Sequence, residues 1–570
     1  MCGKWKRRAD ASHSFFIHRS IQAFAAELAD KFGAPGSSSR AMLFPTRQTA
    51  TRCATFVRSR APAADTTSLS VIHLVVDPAS PSAKALQLFC PAVSAVLCSA
   101  EVFPVAKEYW QHTGDGVSSR RAEFCHGLFR DGLLRLDDGP KSPSQKPCRG
   151  PRRYQRPSSL DQGRPNGGTS PVSPVTAPGQ EVQETSRFLE ERFGRNLDVS
   201  FVEPAKSAIR RRIAGALRGD HELSTSPLPE MESNSRGVHL REDDVYLFPC
   251  GMNAIFNAHR ALLGARSSSL KSINFGFPYV DTLKILQKFG PGCVFYGHAS
   301  ESDLDKLEES LKAGERFLAL FCEFPGNPLL TCPNLARIRR LADAYDFAVV
   351  VDETIGTFAN VNVLQYADIV VSSLTKIFSG DCNVMGGSAI FNPNCRYYAA
   401  LKDFARRELE DTYWAEDVIF MERNSRDFAS RIDRINVNAE AICDALRPHP
   451  LVKSLFYPRY VETSENYEAC RLPGGGYGGL LSVVFHGNSQ AIAFYDAIKT
   501  AKGPSLGTNF TLTSPYVLLA HYQELDWAAS FGVAPDLVRI SVGLEETAHL
   551  VDVFRSALKA AEECVPTEGA

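Results

Sequence analysis

Two apolar runs that each end in polar residues constrain this chain most. AVVVDET (Ala348–Thr354) and DIVVSSLTK (Asp368–Lys376) read as buried β-strands, and Asp352 and Lys376 stand 24 positions apart. Further apolar runs, at Ile273–Phe277, Cys293–Tyr296, Phe317–Cys322, Phe347–Val351 and Ile369–Ser372, alternate with helical patterns such as Leu335–Tyr345. That alternation predicts an α/β fold with a mostly parallel sheet covered by helices on both faces. In such sheets ligands sit at the carboxyl ends of strands, so Asp352 and Lys376 are predicted to face one crevice. After Pro393 the pattern changes. A helical stretch, Tyr397–Leu446, leads to separate strand-like runs at Leu480–Phe485 and Leu537–Val542 and a helix around Ala548–Glu563. These predict a second, smaller α+β domain.

The chain has 570 residues, room for two to four domains. Residues 14–136 carry moderate charge and apolar patches (Ser70–Val76, Ala85–Leu97) and are expected to fold. From Gly139 to Gln180 Pro, Ser, Gly and Arg dominate, a composition that buries too little apolar surface to offset ordering entropy. The predicted organisation is an N-terminal α/β segment 1–136, a linker 137–180, a large domain 181–394 and a small domain 395–570. Helix Lys206–Leu217 is expected to bury Ile209, Ile213 and Leu217, with Arg210 and Arg211 turned away. A formal net charge of −1 gives no global attraction to nucleic acid or acidic membranes. The basic residues of the linker, Lys141, Lys146, Arg149, Arg152, Arg153, Arg156 and Arg164, read as a solvated tether. No apolar run is long enough to span a membrane and no secretory h-region follows the basic start. Fifteen scattered cysteines without a C-x-x-C pair fit a reduced, cytoplasmic protein, and no metal-ligand spacing is present.

A lysine or an aspartate at a strand end is by itself an ordinary surface group or turn former. Together, with hydroxyls just ahead of the lysine, they meet one chemical demand. Pyridoxal 5'-phosphate (PLP) needs an amine for its imine, a carboxylate against its pyridinium nitrogen, and hydroxyl or N–H donors for its phosphate. Lys376, Asp352, Ser373 and Thr375 supply these types. Pro249-Cys250-Gly251-Met252 reads as a turn entering a helix, where the N–H groups of Gly251 and Met252 are aimed at an anion. The glycine run Pro473–Gly479 lacks the phosphate-loop pattern and reads as a turn into the strand at Leu480.

The run VVDET…YADIVVSSLTKIFSGDCNVMGG resembles the Cys/Met-metabolism group of fold-type I PLP enzymes, fungal cystathionine γ-synthases in particular. Further matching runs are ERFGRNLD (191–198), CGMNAI (250–255), FGFPYVDTLK (275–284), CEFPGNPLL (322–330), GPSLGTNFTLTSPYVLLAH (503–521) and LVRISVGLEE (537–546). The front run VFPVAKEYWQHTGDGVSSRRAEFC (102–125) is similar to the leader region of the fungal proteins. The resemblance implies Lys376 as the cofactor-bearing lysine and Asp352 as the pyridinium partner. It implies that Tyr279 stacks on the ring and acts in catalysis, and that Asn327 bonds near the cofactor's 3′ oxygen. It further implies that Arg539 clamps the substrate α-carboxylate with help from Ser505. Where the family has Tyr-x-Arg reaching a neighbouring subunit's PLP phosphate, this chain has Phe193-Gly194-Arg195, keeping the guanidinium and losing the hydroxyl.

The implied reaction is γ-replacement on an O-acyl-L-homoserine, with cysteine as nucleophile and cystathionine as product. Alternatives are a related enzyme of fungal secondary metabolism using another sulfur or carbon nucleophile, and a γ-lyase. A binding protein with an idle fold is disfavoured because both Lys376 and Asp352 are present. Small-molecule substrates and a homodimer or homotetramer with shared active sites are the expected partners, with neither nucleic acid nor membrane.

Overall fold

The structure is a computed structural model that describes residues 16–34, 38–62, 66–80, 83–86, 89, 91–137, 199–217, 236, 240–266 and 269–564. Nearly all of the predicted linker, together with Phe193 and Arg195, lies outside these residues.

Among the described residues three sheets organise the chain. The first holds β1 (Arg40–Phe44), β2 (Ser70–Val76), β3 (Ala92–Cys98) and β4 (Leu134–Leu136) in the order β1-β3-β2-β4, antiparallel throughout. The second holds β5 (Val245–Phe248), β6 (Ser272–Phe275), β7 (Cys293–Tyr296), β8 (Ala319–Glu323), β9 (Ala348–Asp352), β10 (Ile369–Ser373) and β11 (Gly387–Phe391). Its order is β5-β11-β10-β9-β8-β6-β7. The five strands β6 to β10 run parallel, as their Val, Ile and Leu content and intervening helices dictate. Strand β11 is antiparallel to both neighbours, so β5 points the same way as β10. The third sheet holds β12 (Val452–Phe456), β13 (Leu480–Phe485), β14 (Ala501–Lys502), β15 (Leu512–Ser514) and β16 (Val538–Ser541) in the order β12-β13-β16-β15-β14. Helices Phe428–Leu446 and Thr547–Glu562 pack together beside it.

One continuous apolar core joins the first sheet's helices to the second sheet. Phe89 and Phe124 stack at 4.9 Å and both meet Trp414, at 5.7 and 5.4 Å. Rings of this size each remove about 150–250 Å² from water, a gross gain of about 4–6 kcal/mol per ring before ordering entropy. The N-terminal unit is therefore fastened to the rest of the chain.

One expectation fails in helix Val202–Ile213. Arg211 is buried at 7% exposure, and Arg212 is fully buried in an ion pair with Glu422 at 2.8 Å. Apolar periodicity predicts one buried face, but this helix packs against both helix Ala415–Asn424 and β5. The helix also stops at Ile213, so the buried Leu217 lies beyond it.

Candidate active site

The strand ends carry the site. β9 terminates at Asp352 and β8 at Glu323, directly opposite each other in register. Lys376 follows the end of β10 by three residues, Gly251 follows β5, and Tyr279 follows β6. All five strands deliver their last residues to one edge. A solvent-open cleft there is lined by Gly251, Met252, Tyr279, Glu323, Asn327, Asp352, Ser373, Thr375 and Lys376, among others.

Lys376 Nζ donates to Ser505 Oγ at 3.1 Å. Burial, reinforced by the Arg539 guanidinium, lowers the ammonium's proton affinity from 10.5 to about 8. Asp352 Oδ1 accepts the Thr354 N–H at 2.9 Å, yet burial still raises its carboxyl to about 6. Glu323 is pushed further, to about 8, by burial and by the adjacent Asp352 charge, although it accepts the N–H groups of Tyr279 and Asn327. Neither carboxyl has an ion-pair partner among the described residues. The pair is thus matched to a cationic or proton-carrying group placed against it.

Gly251 opens helix Gly251–Arg266 and lies against β10. A Cβ there would sit 2.7 Å from Ser373 Cβ, so only glycine allows this approach. The start of the helix and Ser373 thus line the same end of the cleft, where the unpaired N–H groups of a helix's first turn can hold an anion. The Thr375 hydroxyl accepts the Gly386 N–H at 3.1 Å and donates to the Gly386 carbonyl at 3.3 Å, pinning the loop beyond Lys376. The Tyr279 hydroxyl lies 3.8 Å from Met252 Sδ, across the cleft mouth, and burial raises the phenol well above its usual value.

Arg539 comes from the third sheet. It is 2% exposed on β16, and its NH1 donates to Asn327 Oδ1 at 2.9 Å. Its NH2 donates to the carbonyls of Pro504 and Ser505, and the guanidinium lies 4.2 Å from the centre of the Tyr516 ring. No carboxylate faces it among the described residues, and burial lowers it to about 10. A buried, fixed, uncompensated fork suits a carboxylate ligand. Asn327 also donates to the Tyr516 hydroxyl at 2.8 Å, tying the two sheets together. Of the residues expected at the site, Gly251, Met252, Tyr279, Asn327, Asp352, Ser373, Thr375 and Lys376 line the cleft, Ser505 and Arg539 adjoin it through bonds to Lys376 and Asn327, and Arg195 lies outside the described residues.

A family model described as "Cys/Met metabolism PLP-dependent enzyme" matches residues 240–559. The chain belongs to that family. A second model, "Fungal trans-sulfuration enzyme, N-terminal domain", matches residues 20–118. The chain is 66% identical to the cystathionine gamma-synthase of Neurospora crassa over 98% of its own length and 93% of the relative's. It is 36% identical to the Saccharomyces cerevisiae cystathionine gamma-synthase over 96% and 90% of the two lengths. A cystathionine gamma synthase structure from Xanthomonas oryzae superposes with a TM-score of 0.50 at 21% identity, over 63% of this chain and 99% of that one. At that identity the match speaks for the fold, fold type I. As a family member the chain is a PLP-dependent enzyme, and the residues present fit the cofactor: an amine of lowered proton affinity, two carboxyls lacking a cation, and an anion cradle at a helix start.

Two neighbours escaped the sequence reading. Glu323 ends a strand just as Asp352 does, the one sequence signal that points to it. Tyr516 has no comparable local mark, because its partners Asn327 and Arg539 are remote in sequence.

Proposed function

We propose that this enzyme is a cystathionine γ-synthase, joining an O-acyl-L-homoserine to cysteine by γ-replacement. The single observation that carries the reading is the meeting of Lys376, at lowered proton affinity, with the uncompensated Arg539 fork in one cleft. The 66% identity to a protein of that name over nearly the full length supports it.

Bound PLP supplies an electron-poor ring that takes up negative charge from the substrate's Cα. In this reading Lys376 Nζ carries the cofactor, then takes and returns protons at the substrate carbons near neutral pH. Asp352 would partner the pyridinium nitrogen, and Ser373, Thr375, Gly251 and Met252 would hold the phosphate. Tyr279 would cover the cofactor ring, and Asn327 would bond its ring oxygen. Arg539, braced by Ser505 and Asn327, binds the α-carboxylate and fixes Cα within reach of Nζ. The Cγ–O bond breaks with its electrons leaving on the carboxylate, and the cysteine sulfur forms the new bond at Cγ as its thiol proton is lost. The products are cystathionine and the free carboxylic acid.

Arg195, by the family pattern, would reach a neighbouring subunit's site, so a homodimer or homotetramer is part of the proposal. Every cysteine among the described residues is free, in keeping with a reducing, cytoplasmic setting. No helix among the described residues is long and apolar enough to cross a membrane.

The test is to purify the protein with PLP, record its visible spectrum, and add O-acetylhomoserine with and without cysteine. Cystathionine formation, and a visible band absent in Lys376→Ala, are the expected results. The band without cystathionine would move the proposal to another nucleophile, and no band after reconstitution would remove it.

A further inference from the structure

The N-terminal unit ends its helix Phe103–Thr113 in a turn, Gly114-Asp115, that presses on the start of helix Gly251–Arg266. Gly114 has φ +64°, and a Cβ there would lie 2.5 Å from Cys250 Sγ and 3.0 Å from the Asn253 nitrogen. Only glycine closes this contact. Next to it, Asn253 Nδ2 donates to Asp115 Oδ1 at 2.8 Å and to the Thr113 carbonyl at 3.0 Å. Asp115 Oδ2 in turn accepts the Tyr109 hydroxyl at 2.6 Å and the Arg52 guanidinium at 3.1 Å. Asn253 is 3% and Asp115 4% exposed. A buried carboxylate is thus fixed by donors from two N-terminal helices and spends its remaining oxygen on the first turn of the anion-holding helix.

A second tie leaves the same helix end. His112 Nδ1 meets Asp281 Oδ1 at 2.7 Å, and Lys288 Nζ meets His112 Nε2 at 3.2 Å. Asp281 stands two residues after Tyr279, in the first turn of helix Val280–Lys288. Arg120 adds a third, donating to the Asn383 carbonyl at 2.7 Å and to Asp417 at 2.8 Å. The Asn383 loop carries Met385, which lines the cleft. Apolar packing suffices to dock two units, and buried polar ties add desolvation penalties unless they fix geometry.

We propose that the His112–Asp115 segment is a positioning brace for the cofactor site, holding the phosphate cradle through Asn253 and the ring-covering Tyr279 through Asp281. The proposal rests on the cofactor placement given above. In it the N-terminal unit sets how firmly PLP is retained, while touching neither PLP nor substrate.

The experiment measures PLP dissociation constants for the full-length protein by spectroscopic titration of the PLP-free form. The variants are Asp115→Ala, Asp115→Asn, His112→Ala and, as a control, Ser94→Ala. Ser94→Ala removes another hydrogen bond of the N-terminal unit, the 2.7 Å contact between Ser94 Oγ and His73 Nδ1, on the sheet away from the cleft. Each variant's unfolding midpoint without PLP is read alongside. Asp115→Ala and His112→Ala are expected to weaken PLP binding by about 10- to 100-fold, the range seen when groups that orient ligands are removed. Asp115→Asn, which keeps an oxygen toward Asn253, recovers most of the affinity, and Ser94→Ala leaves it unchanged. If Asp115→Ala gives no folded protein, His112→Ala decides. Wild-type affinity in the folded variants, or an equal loss in Ser94→Ala, overturns the brace. A wild-type protein that fails to bind PLP instead overturns the cofactor placement.

Discussion

Replacing Lys376 with methionine should make the cofactor-free protein more stable. Lys376 is a partly exposed ammonium whose folded-state proton affinity falls from 10.5 to about 8, through desolvation and the nearby Arg539. Below pH about 8 both folded and unfolded chains hold the proton, so the folded chain bears the whole penalty. A displacement of that size corresponds to about 3 kcal/mol, and residual hydration at the cleft trims it to about 2–3 kcal/mol. Between about 8 and 10.5 the unfolded chain holds more protons, so wild-type stability rises with pH while that of Lys376→Met has no such term. The one hydrogen bond lost is to Ser505, whose partly exposed hydroxyl can turn to water. Urea unfolding of both proteins, stripped of cofactor, checks this. Lys376→Met should lead by about 2–3 kcal/mol near pH 7, with the gap narrowing to about half near pH 9.5. A variant no more stable than wild type near pH 7, or a gap that ignores pH, refutes the reasoning.

Other perturbations follow from the same geometry. Arg539→Lys removes a fork that reaches Asn327 and two carbonyls. Losing one charged hydrogen bond is worth about 1.5–3 kcal/mol, so kcat/KM for the acylhomoserine should fall about ten- to hundredfold in steady-state assays, with the cysteine KM unchanged. Glu323→Gln should abolish one pH dependence. With its folded carboxyl raised to about 8, wild type binds an extra proton on folding and loses stability as pH rises from about 4.5 to 8. Melting midpoints measured across that window should fall less for Glu323→Gln. Arg236→Met strands the buried Glu353, its partner at 2.6 Å, and should cost about 3–5 kcal/mol in denaturant titrations.

The chemistry of Lys376 and Asp352 was legible because each ends an apolar strand, and a strand's carboxyl end has a fixed place in a parallel sheet. Arg539 was legible through the family resemblance of the run LVRISVGLEE that carries it. Strands β5 and β11 left no comparable mark. VYLF and GSAIF are short, and β11 reverses direction in a sheet whose pattern reads as parallel. Arg211 misled because one apolar stripe does not reveal a second packed face. The meeting of His112 with Asp281, 169 positions apart, has no local signature, since burial and partner arise only once the units dock.

The split of the cleft between two sheets has a consequence for synthesis. Lys376 and Asp352 belong to the second sheet, while Arg539 arrives on β16, about 160 residues later in the chain. At ordinary translation rates of about 5–20 residues per second, the lysine's sheet precedes the carboxylate fork by about 8–30 s. During that interval a nascent chain can acquire its reactive amine but has no means of gripping an amino acid by its carboxylate. Competence toward substrate is therefore conferred only after the amine is in place, when β16 leaves the ribosome.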